Sequence, residues 1–348
     1  MPIATPGGRY LGRKPDKPDP RDHRYGAVHG LEPSLPPRVD LRPQLPPCFD
    51  QGALGSCGPN SGDGLMCFLY PELAHTGFSR LHIYYNVRLK EGTVDQDSGV
   101  ETRDVLAVLM LSGAAPESDW PYDVARFKEV PPEAVNTAAE QYTLASFSRL
   151  VAEQEMLSCL AAGFPFLLGF ECFASIDSED LARTGVMPFP NASEALVGGH
   201  DVLCVGYDLN FKSSDEFKRS GLDPSRVADQ ALLIRNSWGT SWGDAGHFWM
   251  PLPYASNPST GGDAWTGRIA NPKPPQKETI ARTLTDKPQG QAIDPGELEV
   301  AQLAVRQAAS KLSYMGISVG GYITDDECRD VASAVVAAVE AYRNGKSI

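Results

Sequence analysis

Gln51-Gly52-Ala53-Leu54-Gly55-Ser56-Cys57 sets a glutamine six residues ahead of a cysteine, with two glycines between them. Far downstream stand Gly198-Gly199-His200 and Asn236-Ser237-Trp238-Gly239. In chain order the chemistry-bearing residues are Gln51, Cys57, His200 and Asn236. A thiol nucleophile needs a base, a group that orients the base, and hydrogen-bond donors for an oxyanion. These residue types fill all of those roles, so their order points to a cysteine hydrolase.

The local sequence around each residue supports its role. Cys57 sits where a loop gives way to an apolar run, Leu65 to Tyr70, and Pro59 is tolerated in a first helical turn. A helix starting near Cys57 is therefore expected, although Gly58, Gly62 and Gly64 weaken it by up to about 1 kcal/mol each relative to alanine. A helix N-terminus favours thiolate over thiol. His200 follows two glycines at the head of an apolar strand, where a base can face a cleft. Of the other histidines, His23 and His29 fall in the N-terminal stretch, His75 and His82 flank a helix-like segment, and His247 begins a strand. Asn236 ends the apolar run Ala231–Arg235, and its amide oxygen can accept from one imidazole nitrogen and fix the tautomer. Trp238 and Trp242 follow within six residues, either to shield that bond from water or simply as core. Gln51 can donate its amide to an oxyanion beside the Cys57 backbone N–H.

The chain has 348 residues, 42% of them apolar, and a net charge of −13. That length suits one large domain with an appendage. The acidic balance argues against a general nucleic-acid binder. No run approaches the roughly 18 apolar residues of a membrane span, and the N-terminus has no apolar signal region. Cytoplasmic residence is the expectation. The seven cysteines form no CxxC pair and no zinc-like spacing; no metal or cofactor is expected, and a reducing compartment fits free thiols.

Residues 1–37 are rich in Pro, Arg and Asp without periodicity and read as an extended arm, a possible short pro-segment lying across or near the cleft. The alternative is a strap docked elsewhere. Residues 38–270 form the main domain. Helices are expected near Cys57, at 101–112 and at 150–162; strands are expected at 166–170, 202–207, 231–235 and 247–250, with a polar loop at 209–230. Helices first and strands later predict an α+β domain with two lobes. Residues 271–293 read as a linker, and 294–348 as a helical hairpin that docks on the domain, a partner protein or a second copy.

The segments QGALGSC, GGHDVLCVGY and LLIRNSWGTSWGDAGHFWMP resemble the papain-like cysteine peptidases, and the likeness spans roughly residues 36 to 270. Asp97-Ser98-Gly99, Trp120-Pro121-Tyr122-Asp123 and the leader Lys17–Asp22 look like the bacterial branch. The resemblance implies the papain-like fold, with a helical lobe and a barrel-like lobe. It implies Cys57 as nucleophile, His200 as base and acid, Asn236 as orienter and Gln51 as oxyanion donor. Trp238 would cover the His–Asn bond and wall the leaving-group side. Ser98 and Gly99 would run beside bound peptide, and Gly199 would lie near the pocket that reads the second residue before the cut. Two departures stand out. Leu54 occupies a position where secreted members usually carry a disulfide-bonded cysteine, and Gly58 stands where many members have tryptophan.

The leading reading is a peptidase working through a thioester on a peptide or protein substrate, with neither nucleic acid nor membrane as partner. Two alternatives use the same residues: a binding or regulatory module without turnover, and acyl transfer to an acceptor other than water, as in ligation or deamidation.

Overall fold

The computed structural model describes residues 3–270. The expected linker 271–293 and helical hairpin 294–348 lie outside the described residues. Helices Cys57–Leu69, Arg80–Glu91 and Thr102–Leu111 pack on one another, and the strands that follow build one large antiparallel sheet. The class is α+β, as the order of patterns predicts.

Helix Cys57–Leu69 forms despite its glycines because tertiary packing overrides propensity. Leu65 and Met66 are fully buried, each contributing about 1.5–3 kcal/mol. The glycines face the neighbours that come closest. A Cβ on Gly58 would stand 2.7 Å from a Val100 methyl and 3.1 Å from Asp201 Oδ2; one on Gly62, 2.8 Å from a Val105 methyl; one on Gly64, 3.0 Å from a Leu203 methyl. The helix thus spends propensity to approach both helix Thr102–Leu111 and strand Leu196–Asp208. Tyr70 caps it through a bond to Met66 O, and Pro71 stops it.

Helix Arg80–Glu91 has no counterpart in the sequence expectations. Ser79 Oγ accepts from the His82 amide at 3.1 Å, and Gly92 ends the helix in the left-handed conformation at φ 71°. His82 therefore lies inside a helix, buried, and does not flank one. The helix expected at 150–162 is shorter, Glu153–Ala161, because Ser146–Leu150 is a strand.

The sheet runs in the order His247–Pro251, Ala231–Arg235, Leu196–Asp208, Phe166–Phe173, Asp263–Arg268, Ser146–Leu150, and Arg38–Asp40 adds to strand Leu196–Asp208. All of these pairings are antiparallel. The expected strands are present, one with its expected bounds, Ala231–Arg235, and the other three longer, whereas Asp263–Arg268 escaped the pattern reading. The polar stretch 209–230 carries the short helix Asp215–Ser220. Among the described residues no helix is long and apolar enough to cross a membrane.

Over residues 3–37 the arm carries short strands and one helical turn, Tyr25–Val28. Its strand Tyr10–Leu11 pairs with Ile3–Ala4, and Arg13–Lys14 pairs in parallel with Val100–Glu101.

The packing at Gly58 is directly testable. In Gly58→Ala, overpacking against a stiff valine costs about 1–3 kcal/mol and the helix regains up to about 1 kcal/mol in propensity. A net loss of about 1 kcal/mol is expected in denaturant unfolding; a stabilised variant would contradict the close approach.

Candidate active site

Cys57 is the first residue of its helix and is fully buried. Its thiol receives the backbone N–H groups of Asp201, Gly12 and Gly58. The first of these places it one residue from His200 along strand Leu196–Asp208. Burial, and next the Asp201 carboxylate, push the thiol up to about 12 against the pull of those amides.

His200 lies opposite Phe170 on the neighbouring strand and is fully buried. Its Nε2 lies 2.8 Å from Asn236 Oδ1. That oxygen also accepts the Ser237 amide at 2.9 Å, so it is an acceptor and Nε2 carries the proton. Nδ1 of the neutral ring is then the nitrogen with a free lone pair, and among the described residues it has no hydrogen-bond partner. Trp238 stacks on the imidazole, with centroids 4.9 Å apart and an interplanar angle of 26°, and Phe170 meets it edge-on at 5.8 Å. Burial lowers the imidazole to about 4, partly countered by the Asn236 bond. The buried pair thus rests as thiol and neutral imidazole.

Gln51 is held by the segment that carries Asn236. Its backbone N–H bonds Ser237 O at 2.8 Å, and its Oε1 accepts from Ser237 Oγ at 2.5 Å. The second bond turns Nε2 toward Leu54 O, at 2.8 Å, and toward Tyr10 O of the arm, at 3.0 Å. The donor expected to serve an oxyanion thus already holds a carbonyl oxygen.

The arm threads this cleft. Arg9 lies over the Trp238 ring at 5.3 Å, Gly12 touches the thiol, and Gly12 O accepts from Val100 N at 2.7 Å. A Cβ on Gly12 would stand 2.1 Å from Gly55 O, and one on Gly99 would stand 1.9 Å from Gly12 O, so only glycine fits this crossing. Ser98 Oγ accepts from Lys14 Nζ at 3.2 Å, and Gly199 backs the Arg13 side chain. Ser98, Gly99 and Gly199 all line the arm's path. Backbone pairing comes from Val100, whereas the Gly99 amide is spent on the Tyr84 hydroxyl at 3.2 Å.

Sequence reasoning missed Arg13, Asp201, Glu171 and Asp263. Asp201 directly follows His200 and so carried a signal; the others assemble only through strand register. A second cysteine–histidine pair also exists. Cys48 Sγ lies 3.7 Å from either ring nitrogen of His247 and 3.4 Å from Arg235 Nη1. The His247 ring faces backbone carbonyls of Ala245 and Asp244, and among the described residues no side-chain amide orients it.

Comparison with known proteins places the chain in a family. The papain family cysteine protease profile matches residues 95–257. An uncharacterized peptidase C1-like protein of Acanthamoeba polyphaga mimivirus is 30% identical over 74% of this chain and 85% of its own. Cysteine proteinase 3 of Entamoeba histolytica is 26% identical over 69% of each chain. Among solved structures, xylellain, a cysteine protease from Xylella fastidiosa, superposes with a TM-score of 0.65 at 31% identity, covering 78% of this chain and 98% of that one. The fold and these relatives define a papain-like cysteine peptidase, a hydrolase. The chain belongs to the papain family of cysteine proteases.

The buried thiol gives a pH prediction. A free cysteine titrates near about 8.5, and iodoacetamide reacts with the thiolate. Labelling of Cys57 in the intact chain, read by peptide mass spectrometry, should stay low through that value and rise only toward about 12. An ordinary inflection near about 8.5 would falsify the covered state of the thiol.

Proposed function

We propose that the protein is an endopeptidase that cleaves peptide bonds through an acyl-enzyme on Cys57, with its own arm restraining the site. The observation that carries this reading is the His200–Asn236 bond. It leaves Nδ1 with a free lone pair one residue from the strand amide that touches the thiol.

Nδ1 accepts the thiol proton as Sγ attacks the scissile carbonyl carbon. The oxyanion is met by Gln51 Nε2 and the Cys57 backbone N–H. On collapse the C–N bond breaks and the imidazolium gives its proton to the departing amine, leaving a thioester. Water, deprotonated by the neutral imidazole, attacks the thioester; collapse releases the carboxylic acid and returns the proton to sulfur. Asn236 acts as a positioning residue that holds the tautomer, and Trp238 keeps water from its bond to His200.

The arm supports the second half of the proposal. Tyr10 O takes the oxyanion donor and Gly12 covers the thiol, so peptide and arm compete for the same groups. The six described cysteines are free and buried, which supports work in a reducing, cytoplasmic setting.

Turnover of a peptide library by the full chain carrying Arg13→Ala, which loosens the arm, tests both parts. It should exceed wild-type turnover and vanish with Cys57→Ala. Adding Gln51→Ala should lower kcat/KM by about 100- to 1,000-fold, the effect of losing one oxyanion donor. A loosened, folded chain that cleaves nothing and leaves Cys57 unlabelled by a peptidyl epoxide sinks the peptidase reading.

A further inference from the structure

Arg13 is the arm residue next to Gly12, and its side chain is only 5% exposed. It enters a pocket built on three adjacent strands. Gly169 in strand Phe166–Phe173 pairs with Asp201 on one side and with Asp263 on the other. Directly opposed residues of antiparallel strands project to the same face, so two aspartates flank a position that has no side chain. The gap at Gly169 is where the guanidinium lies. A Cβ there would stand 2.8 Å from Arg13 Nε, 3.0 Å from Asp201 Oδ1 and 2.7 Å from Thr102 Oγ1. Glu171, two residues along the same strand, accepts from Arg13 Nη1 at 2.7 Å, and Asp263 accepts from Nη2. Gly199, paired with Glu171, forms the wall; a Cβ on it would stand 2.9 Å from Arg13 Cδ.

The folded domain thus supplies three carboxylates and two glycines to one cavity, and the arm supplies the cation. Arg149 approaches Asp263 from the rim at 3.4 Å through Oδ1, leaving Oδ2 for Arg13 and for the Asp16 amide at 3.0 Å. Asp201 is fully buried and its Oδ2 has no hydrogen-bond partner among the described residues. Crowded, buried carboxylates are unfavourable without a cation among them. A planar fork can bridge Glu171 and Asp263 at once; an ammonium acts as a point charge and an aliphatic side chain offers nothing to either.

We propose that this pocket is a specificity site for an arginine side chain of the substrate, one residue out from the residue seated on Cys57, and that Arg13 fills it as an intramolecular stand-in. The inference rests on the peptidase reading and names its substrate class: peptides with arginine at the second position before the cut. Asp263 and Glu171 set the preference, and Gly169 and Gly199 make the room.

The test uses the full chain with Arg13→Ala, which vacates the pocket. Two fluorogenic peptides differ only in arginine or leucine at that second position. The arginine peptide should show at least about tenfold higher kcat/KM, the scale of a bidentate ion pair in a partly buried site. Asp263→Asn, and separately Glu171→Gln, should each shrink the arginine-to-leucine ratio several-fold; two substitutions guard against one that fails to fold. A ratio near one, or a ratio that neither folded variant changes, overturns the pocket. A second readout is independent of chemistry: calorimetric binding of the same two sequences, as peptide amides, to Arg13→Ala/Cys57→Ala. Arginine-ranked binding without turnover in the Cys57-containing chain upholds the pocket and removes the peptidase reading, whereas equal binding removes the pocket.

Discussion

Helix Cys57–Leu69 can approach strand Leu196–Asp208 only because its contact positions lack side chains. Gly58 lies against Val100 and Asp201, and Gly64 lies against Leu203. That distance sets the chemistry. With Gly58 seated against Asp201, the Cys57 thiol meets the Asp201 amide, and His200 is the preceding strand residue. Backbone-close packing is stiff, because interiors are packed as densely as crystals and cannot be stretched smoothly. The propensity lost in the helix is therefore exchanged for a fixed separation between Cys57 and His200. Any larger residue on that face moves one with respect to the other.

A second constraint ties the remaining donors to the same frame. Gln51 and Ser237 exchange a backbone bond and a side-chain bond, Gly239 N binds Phe49 O at 3.0 Å, and Asn236 N binds Gly246 O at 3.0 Å. Gln51 and Asn236 thus sit on two segments laced into one. Ser237 does for Gln51 what Asn236 does for His200: each fixes which polar atom faces the cleft. Both pairs are buried, where an aligned hydrogen bond counts for more than at the surface and a misaligned one is costly.

The candidate residues Gln51, Cys57, His200 and Asn236 stood out in the sequence because each is punctuated locally, by glycines, by a strand end or by adjacent tryptophans. The strands were legible for the same reason: Ala231–Arg235 is a short apolar run with polar borders, and its boundaries match. Strand Asp263–Arg268 was not, because DAWTGR has charged ends and a glycine and gains its place only by pairing with strands on both sides. Helix Arg80–Glu91 mixes buried Arg80, His82 and Arg88 into its inner face, which hides its apolar period. Arg88 is accommodated there by carbonyls of Val94 and Gln96 and by the Tyr84 ring, partners that no local pattern reveals. The acidic pocket was invisible for a stronger reason. Asp201, Gly169 and Asp263 are far apart in sequence, and only strand register makes them one row.

The arm's hold follows from how its contacts are distributed. Lys14 binds Glu91 at 2.6 Å, Arg103 binds Asp19 and Asp22 at 2.8 and 2.5 Å, and Trp265 Nε1 binds Asp16 Oδ2 at 2.6 Å. Lys17 with Glu101 is largely in water and adds little. None of these ties touches Cys57 or His200; they keep the segment over the cleft. In the proposed competition the tethered arm would act at an effective concentration of order millimolar, so modest affinity at Gly12 and Tyr10 would be enough to exclude dilute peptide. Leaving also has an electrostatic cost. Withdrawing Arg13 strips the cation from a row of buried carboxylates, and Asp201, pushed by burial up to about 8, then has to remain protonated, hydrate or find another cation. A peptide that brought its own guanidinium would remove that cost as it bound, whereas an uncharged one would not. Under the proposed specificity, the acids that fasten the arm would also determine which peptides displace it most readily.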